Sequence, residues 1–87
     1  MKIKNGFMLR EVAGSYIVVA VGKASAQFNG LITLNETGVV IWKALEKGAD
    51  ENELVAAVTA EYDIDRETAA RDVSLFVEKC KKAGILE

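Results

Sequence analysis

Thr68, Asp72, Leu75 and Lys79 recur at intervals of four, three and four residues, which on a helix sets a hydroxyl, a carboxylate, an apolar group and an ammonium along one flank. These groups can hold a ligand without making or breaking a bond. A lone exposed leucine is ordinary, but one bordered by a threonine, an acid and a lysine can line a shallow amphipathic groove. Covalent chemistry finds little to work with. Cys80 is the only cysteine of the 87 residues and there is no histidine, which removes an internal disulfide, a Cys/His zinc cluster and an imidazole base. Cys80 falls on the same helical face as Ala69, Val73, Phe76 and Val77, so it reads as a small buried hydrophobe. No catalytic residue, cofactor-binding residue or metal ligand emerges, and the chain does not read as an enzyme.

The flank belongs to the third of three helices. Asn35 caps a first helix with Val39, Ile41, Trp42 and Leu45 as its apolar stripe and Gly48 as its stop. A single tryptophan spaced among aliphatics reads as core. Asp50 or Asn52 caps a second helix carrying Leu54, Val55, Val58 and Tyr62, and Asp63 to Asp65 make the break before the third. Asp65 caps that third helix, and Gly84 ends it so that Ile85 and Leu86 can pack back onto the core. Glu67 with Arg71 and Glu78 with Lys82 are spaced as i, i+4 ion pairs, while Lys79, Lys81 and Lys82 gather at the negative end of the helix dipole.

Ahead of the helices the apolar residues follow a strand period. Phe7 to Val12 and Ser15 to Val21 read as a hairpin turning at Ala13-Gly14. The second strand is apolar on both faces, with Tyr16, Val18 and Ala20 on one and Ile17, Val19 and Val21 on the other, as expected of a central strand covered on both sides. Leu31 to Leu34 is a third strand. Before it, either Asn29-Gly30 turns a tight hairpin from Ala26 to Phe28, or 22–28 is an irregular loop. A three-stranded meander leaves the third strand at an edge, with no proline or lysine between Phe28 and Leu34 to discourage pairing.

The chain is short enough to form a single domain, 1–87, with an α+β, winged-helix-like architecture in which a three-stranded antiparallel sheet is followed by three helices. A net charge of −2 argues against coating nucleic acid or an anionic membrane, and the longest apolar run, Tyr16 to Val21, is far too short to cross a bilayer. The chain reads as cytoplasmic. A winged-helix DNA-binding module is the alternative. Against it, the third helix from Arg66 to Lys82 mixes five basic with three acidic side chains and carries Asp72 in its middle.

Leu34-Asn35-Glu36-Thr37-Gly38 with Ile41-Trp42, Leu45 and Gly48, then Asp72-Val73 and Phe76, then Gly84-Ile85-Leu86, resemble the PqqD family. Its members are peptide chaperones of pyrroloquinoline quinone (coenzyme PQQ) biosynthesis, and their domain is also called the RiPP recognition element. The resemblance spans Phe7 to Leu86 and rests on the order and spacing of short motifs. It implies a non-catalytic domain that binds the leader segment of a ribosomally made precursor peptide and presents it to a modifying enzyme such as a radical SAM protein. The leader would add a strand to the third strand, Gly30, Leu31, Ile32, Thr33 and Leu34, and lie against Thr68, Asp72, Leu75 and Lys79. If the Ile32 N–H faces that peptide, proline there would block pairing. The Leu34 to Gly38 segment marks the family without itself being expected to touch a ligand. A homodimer through the third strand, or by swapping about the 22–28 connection, is a further assembly that the edge allows.

Overall fold

The Ala13-Gly14 loop sets the geometry of the sheet. Both residues have positive φ, 51° and 82°, the signature of a two-residue type I′ hairpin, whose twist matches that of the strands it joins. It connects β1 (Phe7–Val12) to β2 (Ser15–Ala20) with Val12 opposite Ser15 and Phe7 opposite Ala20. The computed structural model describes residues 1–22 and 32–87. Gly30, Leu31 and the Asn29-Gly30 turn signal lie outside the described residues.

Strand β3 (Ile32–Leu34) pairs antiparallel with β2, placing Tyr16 opposite Leu34 and Val18 opposite Ile32. The sheet order is β1-β2-β3, so β2 is central and β3 is at an edge. Three helices follow: α1 (Glu36–Lys47), α2 (Glu51–Glu61) and α3 (Arg66–Lys82). The meander, the edge strand and the helix count are those expected from the sequence.

Each helix begins on a side-chain cap. Asn35 Oδ1 accepts the Gly38 N–H at 2.8 Å, and Asp65 Oδ1 accepts the Thr68 N–H at 2.7 Å. Asp50, rather than Asn52, caps α2 in a reciprocal box with Glu53, at 2.8 and 3.1 Å. Such caps satisfy N–H groups that the first turn leaves without intrahelical acceptors. Of the two i, i+4 pairs read from the sequence, Glu78–Lys82 forms at 3.3 Å, whereas Glu67–Arg71 is not an ion pair among the described residues.

The core lies between one face of the sheet and the helices. Val18, Leu45, Leu54, Val58, Ala69 and Ile85 are fully buried, and Trp42 is 1% exposed, a core residue as its spacing indicated. Ile85 and Leu86 fold back as expected, with Leu86 bridged to Ile3. The other face of the sheet corrects the expectation of a strand covered on both sides. Ile17 and Val19 are only half-buried, and Met8, Val12 and Val21 beside them are 42%, 54% and 37% exposed. All three helices serve the opposite face, and among the described residues no further layer covers this one.

Candidate functional site

The hairpin decides which backbone groups β3 offers to a partner. In a two-residue turn the residue after the loop donates its N–H to the residue before it, so Ser15 hydrogen-bonds toward β1. Alternation along β2 then turns Ile17, Val19 and Val21 toward β1 as well, in keeping with the Val21 N–H donating to the Gly6 carbonyl at 2.7 Å. Tyr16 and Val18 therefore bond toward β3, to their partners Leu34 and Ile32. Thr33 lies between those two pairs, so its N–H and C=O point away from β2, to the edge that no described strand covers. The Ile32 N–H is committed to the sheet. The outward donor is that of Thr33.

The side chains of β3 divide in the same way. Ile32 is half-buried and Leu34 is buried in the core, while Thr33 is exposed on the outer face. Ile32 and Leu34 thus turn their backbone N–H and C=O to β2 and their side chains to the core, and their part is to hold Thr33 at the edge.

Directly after Leu34 the chain enters a cleft of about 230 Å³ between the start of α1 and the middle of α3. One wall is Asn35, Thr37, Gly38 and Ile41; the other is Asp72, Leu75, Phe76 and Lys79. Three of the four residues picked from the helical flank thus come together. Thr68 does not join them: it sits one turn back, exposed, in the cap of Asp65, whose carboxyl is held below the usual range chiefly by the Thr68 backbone N–H.

The opposite wall was not anticipated. Asn35, Thr37 and Gly38 belong to the segment expected to mark a family without touching a ligand, yet they form half of the cleft. Phe76, read as core, is half-buried and faces the cleft as well as the interior. The available signal was Gly38. A glycine in the first turn of a helix forfeits helix propensity, which points to a close neighbour. A Cβ there would lie 3.2 Å from Phe76 Cε2, 3.2 Å from Asn35 Oδ1 and 3.3 Å from Leu34 Cβ.

The cleft offers an apolar centre in Leu75 and Phe76, an acid at one end and a lysine at the other. Leu75 is 63% exposed, the most exposed of the large hydrophobic residues described. Cys80 is buried, its thiol pushed up to about 11 by desolvation, which suppresses the thiolate form. Among the described residues no cluster of His, Cys, Asp and Glu is arranged to hold a metal ion, and no helix is long and apolar enough to cross a membrane.

Among the described residues β3 is thus an edge strand that runs into a helix-walled cleft within a winged-helix-like domain. The family profile described as coenzyme PQQ synthesis protein D (PqqD) matches residues 7–86, and the chain belongs to that family. Two solved structures are similar over nearly their whole length. One is TbiB1 in complex with the TbiA(beta) leader peptide, 28% identical with a TM-score of 0.77, covering 100% of this chain and 95% of that one. The other is lasso peptide synthetase B1 complexed with the leader peptide, 19% identical with a TM-score of 0.73 and coverage of 97% and 93%. At that identity the second likeness speaks for the fold alone. No curated protein sequence matches the chain. Nothing in the geometry favours the DNA-binding alternative: the helix that would enter a groove is here one wall of a cleft with Asp72 in it.

Proposed function

We propose that this protein is a non-catalytic leader-peptide-binding domain. A segment of a ribosomally made precursor pairs as a fourth strand with β3 and lays alternate side chains into the cleft beside α3. The observation that carries this reading is the continuity of two features: the outward N–H and C=O of Thr33, and a cleft that begins at Asn35, two residues later. Main-chain pairing supplies affinity that tolerates sequence change, and the cleft supplies selectivity. Membership of the PqqD family and the likeness to TbiB1, solved with a leader peptide, support the same reading.

Gly30 and Leu31 would lengthen the pairing edge, Ile32 and Leu34 would hold it in register from the core side, and Asp72, Leu75 and Lys79 would meet the peptide's side chains. Thr68 would contact it only if the peptide runs past Asp72 toward the start of α3. Function then consists of delivery, in the cytoplasm, to a modifying enzyme such as a radical SAM protein. A homodimer formed through β3 would occupy the same edge and so compete with the peptide.

Titration of an isotope-labelled sample with a synthetic leader peptide, encoded beside a modifying enzyme in the same gene neighbourhood, tests this. Amide shifts should concentrate at Ile32 to Leu34 and Asp72 to Lys79. Shifts confined to α2 or to the β1–β2 hairpin would place the site elsewhere.

A further inference from the structure

Asp72 and Lys79 stand at either end of the apolar centre of the cleft, and neither makes an ion pair among the described residues. Their neighbours differ in this respect, since Glu78 and Lys82, one face further round α3, neutralise each other at 3.3 Å. Among the described residues, then, the cleft carries two uncompensated charges of opposite sign. We propose that these charges select the bound segment and set its direction along α3: a basic side chain opposite Asp72, an apolar one over Leu75 and Phe76, and an acidic one opposite Lys79. The inference rests on the peptide-binding reading above and adds to it the chemistry of the preferred segment.

Spacing supports the pattern. Seven residues of helix advance about 10.5 Å from Asp72 to Lys79. On one face of an extended chain, positions i, i+2 and i+4 span about 13 Å, and the flexible arms of Arg, Lys or Glu take up the difference. The preferred segment is thus basic-x-apolar-x-acidic or its reverse, with the intervening residues pointing away from α3. Asp72 is half-buried, which limits screening at its end. Beyond Lys79 a second shallow depression runs past Leu75 to Glu78 and Lys82, so the acidic side chain has room to reach the ammonium. Each matched pair should strengthen binding about two- to fivefold, as exposed ion pairs do, and two together about four- to twenty-fivefold.

Selection from a displayed library of random dodecapeptides tests the proposal. The wild-type protein is compared with a double variant carrying Asp72→Lys and Lys79→Asp, and with Lys79→Glu alone, a change at an exposed position that leaves packing untouched. Thermal melting establishes that each variant is folded. Wild-type binders should share one charge order, a basic and an acidic residue on either side of an apolar one at alternate positions. The double variant should reverse the charges about the same apolar residue, and Lys79→Glu should replace only the acidic preference with a basic one. A synthetic wild-type binder and its charge-exchanged counterpart should differ in Kd by more than the roughly four- to twenty-fivefold that two matched pairs supply, because the exchange also sets like charges together, and the gap should narrow in 0.5 M salt. Binders that perturb β3 and α3 but show no charge order, or the same order with all three proteins, overturn the charge selection and leave the peptide-binding reading standing. Failure of the wild-type protein to select any peptide overturns both.

Discussion

Phe76 of α3 packs against Gly38 in the first turn of α1, so close that a methyl group at residue 38 would sit 3.2 Å from the ring edge. This approach brings Asn35 and Thr37 within reach of Asp72 and Lys79 and so makes a cleft of two separate helix surfaces. Gly38→Ala gains up to about 1 kcal/mol of helix propensity and strains a cap interaction of about the same worth, because the new Cβ also meets Asn35 Oδ1. The melting temperature should stay within a few degrees of wild type. The Phe76 ring must yield, so its aromatic NMR signals should shift and peptide affinity should fall. Unchanged affinity with a displaced ring would show that the cleft's shape does not govern binding.

Thr33→Pro and Ile32→Pro should part company. At Thr33 proline removes the outward N–H and places its ring where an added strand would lie, while the ladder to β2 is kept. Peptide affinity should drop tenfold or more on the scale of one lost main-chain bond of about 1 kcal/mol plus the steric block, with little change in melting temperature. At Ile32 proline removes a bond to Val18 inside the sheet, so the fold should melt markedly earlier. Calorimetry alongside binding measurements separates the two outcomes, and equal destabilisation would mean that the assigned parity of β3 is wrong.

Leu75→Ala tests the apolar centre of the cleft. Because Leu75 is 63% exposed, stability should change by no more than about 0.5 kcal/mol. Binding should weaken by about 1 kcal/mol, roughly fivefold in Kd. A large loss of stability would instead make Leu75 part of the core.

Cys80 should be nearly inert in the folded protein. Its thiol is raised by burial from an ordinary 9.0 to about 11, so at pH 8 alkylation should run about a hundredfold slower than in denaturant. The sign of the linkage follows from the folded state holding the proton more tightly. The protonated thiol costs nothing below pH 9, and stability falls as pH rises from about 9 to about 11. Chemical denaturation of wild type and Cys80→Ala across that range should show a steeper decline for the wild type. Parallel curves would contradict the shift.

Much of the fold was legible because it is specified by neighbours in sequence. Asn35, Asp50 and Asp65 cap helices through bonds spanning three residues, and Ala13-Gly14 turns a hairpin through its own two dihedral pairs. The flank of Asp72, Leu75 and Lys79 followed from helical period alone. The outer face of β2 was misread for the opposite reason: its apolar residues promised a covering layer, and only the placement of all three helices on the other face shows that none of them provides it.

The amino-acid sequence by itself determined the elements, their order, the edge position of β3 and the family, because periodicity, caps and turn chemistry act over a few residues. The tertiary structure decided what those elements make together. Whether Thr33 or Ile32 faces the edge depends on a parity that passes from the Ala13-Gly14 turn through β2 to β3. Whether Leu34 to Gly38 is a bystander or a wall depends on how near α3 comes to α1, which Gly38 permits and Phe76 completes. Both are relations between residues far apart in the chain, and packing alone sets them.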